Sequence, residues 1–224
     1  FRPLGDIYRS TPVNVPAPLL DLPDQSFTAY RTLQLTRTGA STQINAVPTL
    51  RRADVRVGSR EPMLYVGTND GILHAFDTDT GDEVWGFVPP YLLPTLRNRY
   101  PSTRSFGVDG TPVVKEVVYE RSALSPAVAS SWRTVLVVGL RNGGPAFVAL
   151  DVTDPYQPRF LWQFTDPDID TATGTPAIGT LFFTPPSALQ PVERAVAFIP
   201  GGVGQPASTC SPTSAMRPAR NAII

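Results

Sequence analysis

The 224-residue chain holds one cysteine, Cys210, and one histidine, His74. A lone cysteine excludes a disulfide framework and a cysteine-based metal site. A single histidine excludes a histidine-based metal triad, and between Leu73 and Ala75 of an apolar run it reads as a structural or rim residue. No stretch of 18 or more apolar residues occurs, which excludes a transmembrane helix. The formal net charge is zero, so nothing argues for nucleic acid or an anionic membrane as partner. Lysine is nearly absent: of the 19 basic residues only Lys115 is one. No Gly-x-Ser-x-Gly elbow is present. Gly201-Gly202-Val203-Gly204 follows no strand-to-helix turn, which argues against phosphate binding. No signal peptide is visible, but the chain opens inside a motif at Phe1, as expected if a leader lies upstream.

Proline is abundant instead, at 25 residues, about twice the usual share. That suits many short strands joined by stiff turns. The stretch Met63 to Pro90, MLYVGTNDGILHAFDTDTGDEVWGFVPP, organises the rest. Three apolar runs are separated by Asn69-Asp70-Gly71 and by Asp79-Thr80-Gly81-Asp82. Runs this short, bounded by turn residues, read as three antiparallel strands, with glycine supplying the positive φ of the turns. No run is long enough for a helix.

The stretch recurs. In TVLVVGLRNGGPAFVALDVTDPYQPRFLWQFTDP, from Thr134, Gly139 matches Gly67, and Asn142-Gly143 falls where Asp70-Gly71 fell. Ala149 and Asp151 match Ala75 and Asp77, and Trp162 and Phe164 match Trp85 and Phe87. The offset drifts only at turns, as it does in repeat arrays. Each copy is announced by Thr-Pro: Thr11-Pro12, Thr111-Pro112 and, for a third, Thr175-Pro176. Proline is tolerated at the first residue of a strand.

Four strands per unit with repeated turn and tryptophan positions is the sequence form of a β-propeller blade. The expected fold is all-β: a partial, incomplete propeller of about two and a half quinoprotein-like four-stranded blades. Blade one covers 10–88 with an insertion at 16–60, in which Thr28–Thr38 suggests an exposed hairpin. A short helix and loop occupy 89–109. Blade two covers 110–166, an incomplete blade three covers 174–202, and the tail 203–224, rich in Pro, Ser, Ala and Arg, is expected to be irregular. Trp85 and Trp162 read as inter-blade packing, Asp77 and Asp151 as caps of turn backbone, and Gly67 and Gly139 as points of close approach.

At these residues the chain resembles the PilC/PilY propeller domain of type IV pilus tip-associated adhesins. YVGTNDGILHAFDTDTGDEVWGFVPP and WRTVLVVGLRNGGPAFVALDVTDP carry the likeness, with LGDIYRSTPV near the start and FGVDGTPVV at 106–114 as blade openings. The 16–60 region and the tail depart from the pattern. The resemblance implies a secreted protein at the pilus tip or outer-membrane surface of a Gram-negative bacterium. It would assemble with minor pilins in a tip complex and support adhesion to a host or abiotic surface and twitching or gliding motility. It also implies a calcium-dependent propeller, completed by the rest of a longer chain.

Calcium ligands do not transfer from the resemblance. Asp166, Asp168 and Asp170 alternate as in a calcium loop, but Thr171 stands where such a loop needs glycine and Ala177 where it needs glutamate. Asp77, Asp79 and Asp82 form a second weak cluster. For both, an acidic turn is the plainer reading. No catalytic residue is assigned. Two other propeller classes stay open. A pyrroloquinoline-quinone dehydrogenase has similar blades, but it stacks its cofactor with a vicinal disulfide that one cysteine cannot form, so no quinone is expected. An outer-membrane assembly scaffold binds peptides at strand edges. On the repeat alignment, Trp85→Ala or Trp162→Ala should cost roughly 3–5 kcal/mol, the range for deleting a large core aromatic. Urea unfolding measures it, and a cost near zero for both would refute the alignment.

Overall fold

The computed structural model describes residues 4–19, 22–37, 54–99, 105–122, 131–166, 169, 174–184, 190–201 and 222–223. They are mostly β-structure in four antiparallel sheets, none closed on itself. Sheet one holds β1 (Val13–Val15), β4 (Met63–Gly67), β5 (Leu73–Asp77) and β6 (Glu83–Phe87), side by side in that order. Sheet two repeats it with β7 (Val113–Val118), β9 (Trp132–Gly139), β10 (Ala146–Asp151) and β11 (Arg159–Thr165). Sheet three contains β12 (Ala177–Phe183) and β13 (Val192–Phe198), with β8 (Glu120–Ser122) and β14 (Ala222–Ile223) both paired to β13. A two-stranded ladder joins β2 (Gln34–Thr36) to β3 (Asp54–Arg56).

The repeat is exact enough to reproduce an irregularity. Ala75 lies opposite Trp85, and the ladder then slips, pairing Phe76 with Glu83. Ala149 lies opposite Trp162, and the ladder slips again, pairing Leu150 with Phe160. A bulge re-aims the residues beyond it. Here it lets the tryptophan sit over a small alanine while the chain curls toward the aspartate turn. The glycine match holds too: Gly67 faces Leu73 and Gly139 faces Phe147.

Sheet two explains why its strands read as continuous apolar runs. Leu136, Val138, Ala146, Val148 and Leu150 point into one cluster with Met63, Tyr65, Leu73 and Ala75 of sheet one. Val117, Val135, Val137 and Ala149 point the other way, into a cluster with Ile178, Ala195 and Ala197 of sheet three. Alternation of side chains along a strand puts neighbours on opposite faces, and here both faces are dry. Each fully buried Val, Leu or Phe contributes about 1.5–3 kcal/mol. Trp85 joins the first cluster half-buried and donates its indole N–H to the Pro155 carbonyl, 2.8 Å away in the next repeat. Trp162 packs on the second cluster.

The short helix expected within 89–109 is present as α2 (Leu93–Arg99), entered through a 3₁₀ turn at Pro90–Leu92. Two expectations need correction. Thr28–Thr38 is not a hairpin. Gln25–Thr32 forms a helix, α1, and only Gln34–Thr36 is strand, paired with Asp54–Arg56 rather than with its own neighbours. Asp24 is the N-cap, its carboxylate accepting the Ser26 N–H at 2.8 Å, and Phe27 and Tyr30 supply an apolar face three residues apart. That face packs with Leu35, Val55 and Val57 against Val118 and Trp132 at one end of sheet two. The tail is not irregular throughout, since Ala222–Ile223 adds to the edge of β13. Unpaired edge groups of β13 reward any extended segment that reaches them. Residues 202–221 lie outside the described residues.

Glycine decides how closely the loops approach. A methyl group on Gly143 would lie 1.7 Å from the Gly107 carbonyl oxygen, whereas one on Gly81, at φ +77°, meets nothing within 4 Å. Gly81→Ala should therefore cost about 1 kcal/mol, from its left-handed backbone alone. Gly143→Ala should cost roughly 3 kcal/mol or more, because backbone must move. Urea unfolding of the two variants checks the order.

Candidate functional site

The connection Ser105–Thr111 threads between the first two sheets and touches the turn of each. Val108 donates its N–H to the Thr68 carbonyl at 2.9 Å, and Asp109 donates to Leu140 at 3.3 Å. Gly107 lies against Gly71 on one side and Gly143 on the other, and Gly67 against the Val108 carbonyl. The buried Asp109 carboxylate accepts from Asn142 Nδ2 at 2.8 Å. The two strand openings also meet: Thr111 Oγ1 accepts the Thr11 N–H at 3.0 Å. Gly67 thus has the close-approach role read from sequence. Gly139 shares it, its carbonyl abutting Gly110 while the Phe147 ring covers its Cα.

His74 is buried beside this seam. Its Nδ1 lies 2.7 Å from Glu83 Oε1 and its Nε2 3.1 Å from Thr68 Oγ1. Thr68 also donates to Asp70 in a very short contact, and its Oγ1 lies 3.0 Å from the Ile72 carbonyl. Carboxylate, imidazole and hydroxyl adjoin in the order of a nucleophilic triad, but the one Thr68 proton goes to Asp70 and not to the imidazole. Thr68 is also fully buried, so no substrate carbonyl can reach it. The line braces the turn that receives Val108.

The aspartates at equivalent repeat positions cap turns. Asp77 accepts the backbone N–H groups of Asp79 at 2.8 Å and Thr80 at 3.2 Å, and Asp151 accepts that of Thr153 at 2.9 Å. Asp77 also accepts the Tyr156 hydroxyl proton at 2.5 Å. Burial first, and then that carboxylate, push the Tyr156 phenol well above its ordinary value. Asp77 is thereby committed, while Asp79 is exposed and Asp82 half-exposed. Of the other acidic run, Asp166 caps a turn through its carbonyl, which accepts the Ile169 N–H at 3.0 Å. Asp168 and Asp170 lie outside the described residues. So do Cys210 and Gly202–Gly204. Among the described residues, no three His, Cys, Asp or Glu side chains are grouped to hold a metal.

Sequence reasoning missed the most heavily bonded groups. Arg37 reaches Glu61 at 2.8 and 3.0 Å and Asp154 at 3.1 and 3.2 Å, and its guanidinium lies over the Tyr156 ring at 4.7 Å. Arg60 donates to Thr134 Oγ1 at 2.6 Å, to the carbonyls of Thr153 and Pro16, and to Glu116 at 2.9 Å. Both arginine side chains are almost fully buried. Arg37 stands midway along the 16–60 insertion and Arg60 at its end, and together they fasten it to the first two sheets. A planar fork of donors suits this role, which lysine would not fill. Arginine alone, without the partners' positions, gave no such signal in the sequence. Trp132, also passed over, donates its indole N–H to Ser26 Oγ at 2.7 Å.

The geometry defines a repeat domain of stacked antiparallel sheets whose buried polar groups hold chain to chain. No family model matches the sequence. Among curated proteins, the chain is 37% identical over 131 residues to the type IV pilus biogenesis factor PilY1 of Pseudomonas aeruginosa, across 55% of this chain and 10% of that protein. It is 36% identical over 168 residues to a PilY1 homologue of Xylella fastidiosa, across 74% of this chain and 12% of that one. The crystal structure of the P. aeruginosa PilY1 C-terminal domain is similar at 31% identity over 65% of this chain and 25% of that chain, with a TM-score of 0.44. The chain spans about a tenth of the length of these curated relatives. It holds a PilY1-type domain, the kind its strand and turn motifs resemble.

At the open end of α1, burial would raise the Asp24 carboxyl, but hydrogen bonds from Ser26 and Arg121 prevail and hold it at about 2, below its ordinary 3.8. A depressed carboxyl stabilises the fold fully above its unfolded value and loses that contribution as pH falls through the folded one. Acid should therefore loosen α1 between about pH 4 and pH 2. Trp132 fluorescence reports it, since Ser26 touches both groups, and Asp24→Asn should flatten that limb of the titration.

Proposed function

We propose that this domain works in type IV pilus biogenesis, as a binding and assembly module rather than an enzyme. The observation that carries the reading is the match to PilY1 proteins of two genera, supported by a bulge that recurs at the same place in both repeats. In this reading the three large sheets are successive blades of a propeller. Sheet two already has a neighbour on each face, as an inner blade must. The remaining blades come from further parts of a longer polypeptide. The whole protein sits outside the cell at the pilus tip, contacts minor pilins there, and supports surface attachment and twitching or gliding motility. No helix among the described residues is long and apolar enough to cross a membrane. Calcium enters only through the resemblance, and no ligand set is assigned to it.

The test is genetic. Deleting the gene in its source bacterium should remove or sharply reduce surface pili seen by electron microscopy, and abolish spreading on agar. The intact gene should restore both, and a gene lacking this domain should not. Normal piliation and spreading in the deletion strain would overturn the proposal.

A further inference from the structure

The edge of β13 is covered by a strand that does not belong to its own repeat. β8 leaves sheet two after the single residue Tyr119 and lies along β13, pairing Glu120 with Arg194, Arg121 with Glu193 and Ser122 with Val192. Tyr119 extends the contact, its carbonyl accepting the Ala195 N–H at 3.2 Å. The charges fix the register. Arg121 bonds its cross-strand partner Glu193 through Nε at 2.9 Å and again through a very short contact, and Arg194 bonds Glu120 at 2.5 Å. Opposite charges across a ladder favour the pairing, and a slip of one residue would set like charges face to face.

Arg121 has a second commitment. Its remaining nitrogen donates to Asp24 Oδ2 at 2.8 Å and to Ser26 Oγ at 3.2 Å. Asp24 spends its other oxygen on the Ser26 amide and hydroxyl that begin α1. One guanidinium thus joins the helix cap of the insertion, the borrowed strand and the third sheet. Only three residues of β8 are in the ladder, too few to hold by backbone bonds alone.

We propose that Arg121 is a latch: β8 stays on the edge of β13 only while the α1 cap holds Arg121 from the other side, so the insertion controls whether that edge is closed. Released, β8 leaves the backbone groups of β13 at Val192–Arg194 open on that side. The inference does not depend on the pilus reading or on the propeller.

Amide hydrogen exchange on the 224-residue chain tests it. Asp24→Asn keeps an N-cap side chain but removes the charge facing Arg121. Exchange at Ala195 should rise about tenfold, the size of one lost charge-assisted bond. Arg121→Met should raise it further, and Arg121→Lys should fall between. Amides of Val148 and Leu136, in the middle of sheet two, should keep their wild-type protection. Unchanged exchange at Ala195 in both Asp24→Asn and Arg121→Met would overturn the latch. So would a uniform rise across all three sheets, which would mean general destabilisation.

Discussion

The structure depends on burying one antiparallel sheet on both faces. A sheet with one dry face can leave the other in water, but β9 and β10 carry apolar side chains in both directions. Their two sets of valines, leucines and alanines require a neighbour on either side, and sheets one and three supply them. The other contacts follow from keeping three sheets face to face. The loops between them must then pass close together, which is why glycine stands at 67, 107, 110 and 143. The tryptophan of one repeat can reach the turn of the next only at this spacing.

Burying arginine in such an assembly is costly unless every donor finds an acceptor. All three nitrogens of Arg37 and both terminal nitrogens of Arg60 meet carboxylate, carbonyl or hydroxyl oxygens drawn from separate stretches of chain. Removing one partner from such a group strands a charge, so these contacts specify the arrangement more than they add to its stability. His74 follows the same logic on a smaller scale. Its ring is satisfied on both sides, and the hydroxyl in line with it serves the turn below. Chemistry that looks catalytic by composition is here committed to architecture.

The repeat was legible in the sequence because each strand carries its own signal. Apolar runs of five or six residues, the Asn-Asp-Gly and Thr-Gly turns, and the Ala-x-Asp and Trp positions are local features, and the ladders confirm them residue for residue. The helix after Pro90 was legible for the same reason. The insertion was not. Asp24, Phe27 and Tyr30 hold a cap and a helical face, but eight residues between prolines and threonines gave a weak period, and the face becomes apolar only against Val118 and Trp132. β8 and β14 are three and two residues long and owe their strand conformation wholly to the edge of β13. The ion-pair partners of Arg37 and Arg60 are 24 to 117 residues distant or scattered across the chain, a separation at which sequence pattern carries no information.

The bulge between alanine and the residue after it recurs at the same place in both repeats, while the turns around it differ in length. Curvature is therefore set inside the sheets and the connections are left free. That separation lets a unit lengthen without changing its shape. Between β1 and β4 the chain takes a detour of more than forty residues and returns to pair Val13 with Tyr65, in a sheet of the same strand order as its neighbour. The inter-strand connections can thus differ in length within one chain while the sheets keep one strand order. What a connection carries is therefore independent of the scaffold that holds its two ends.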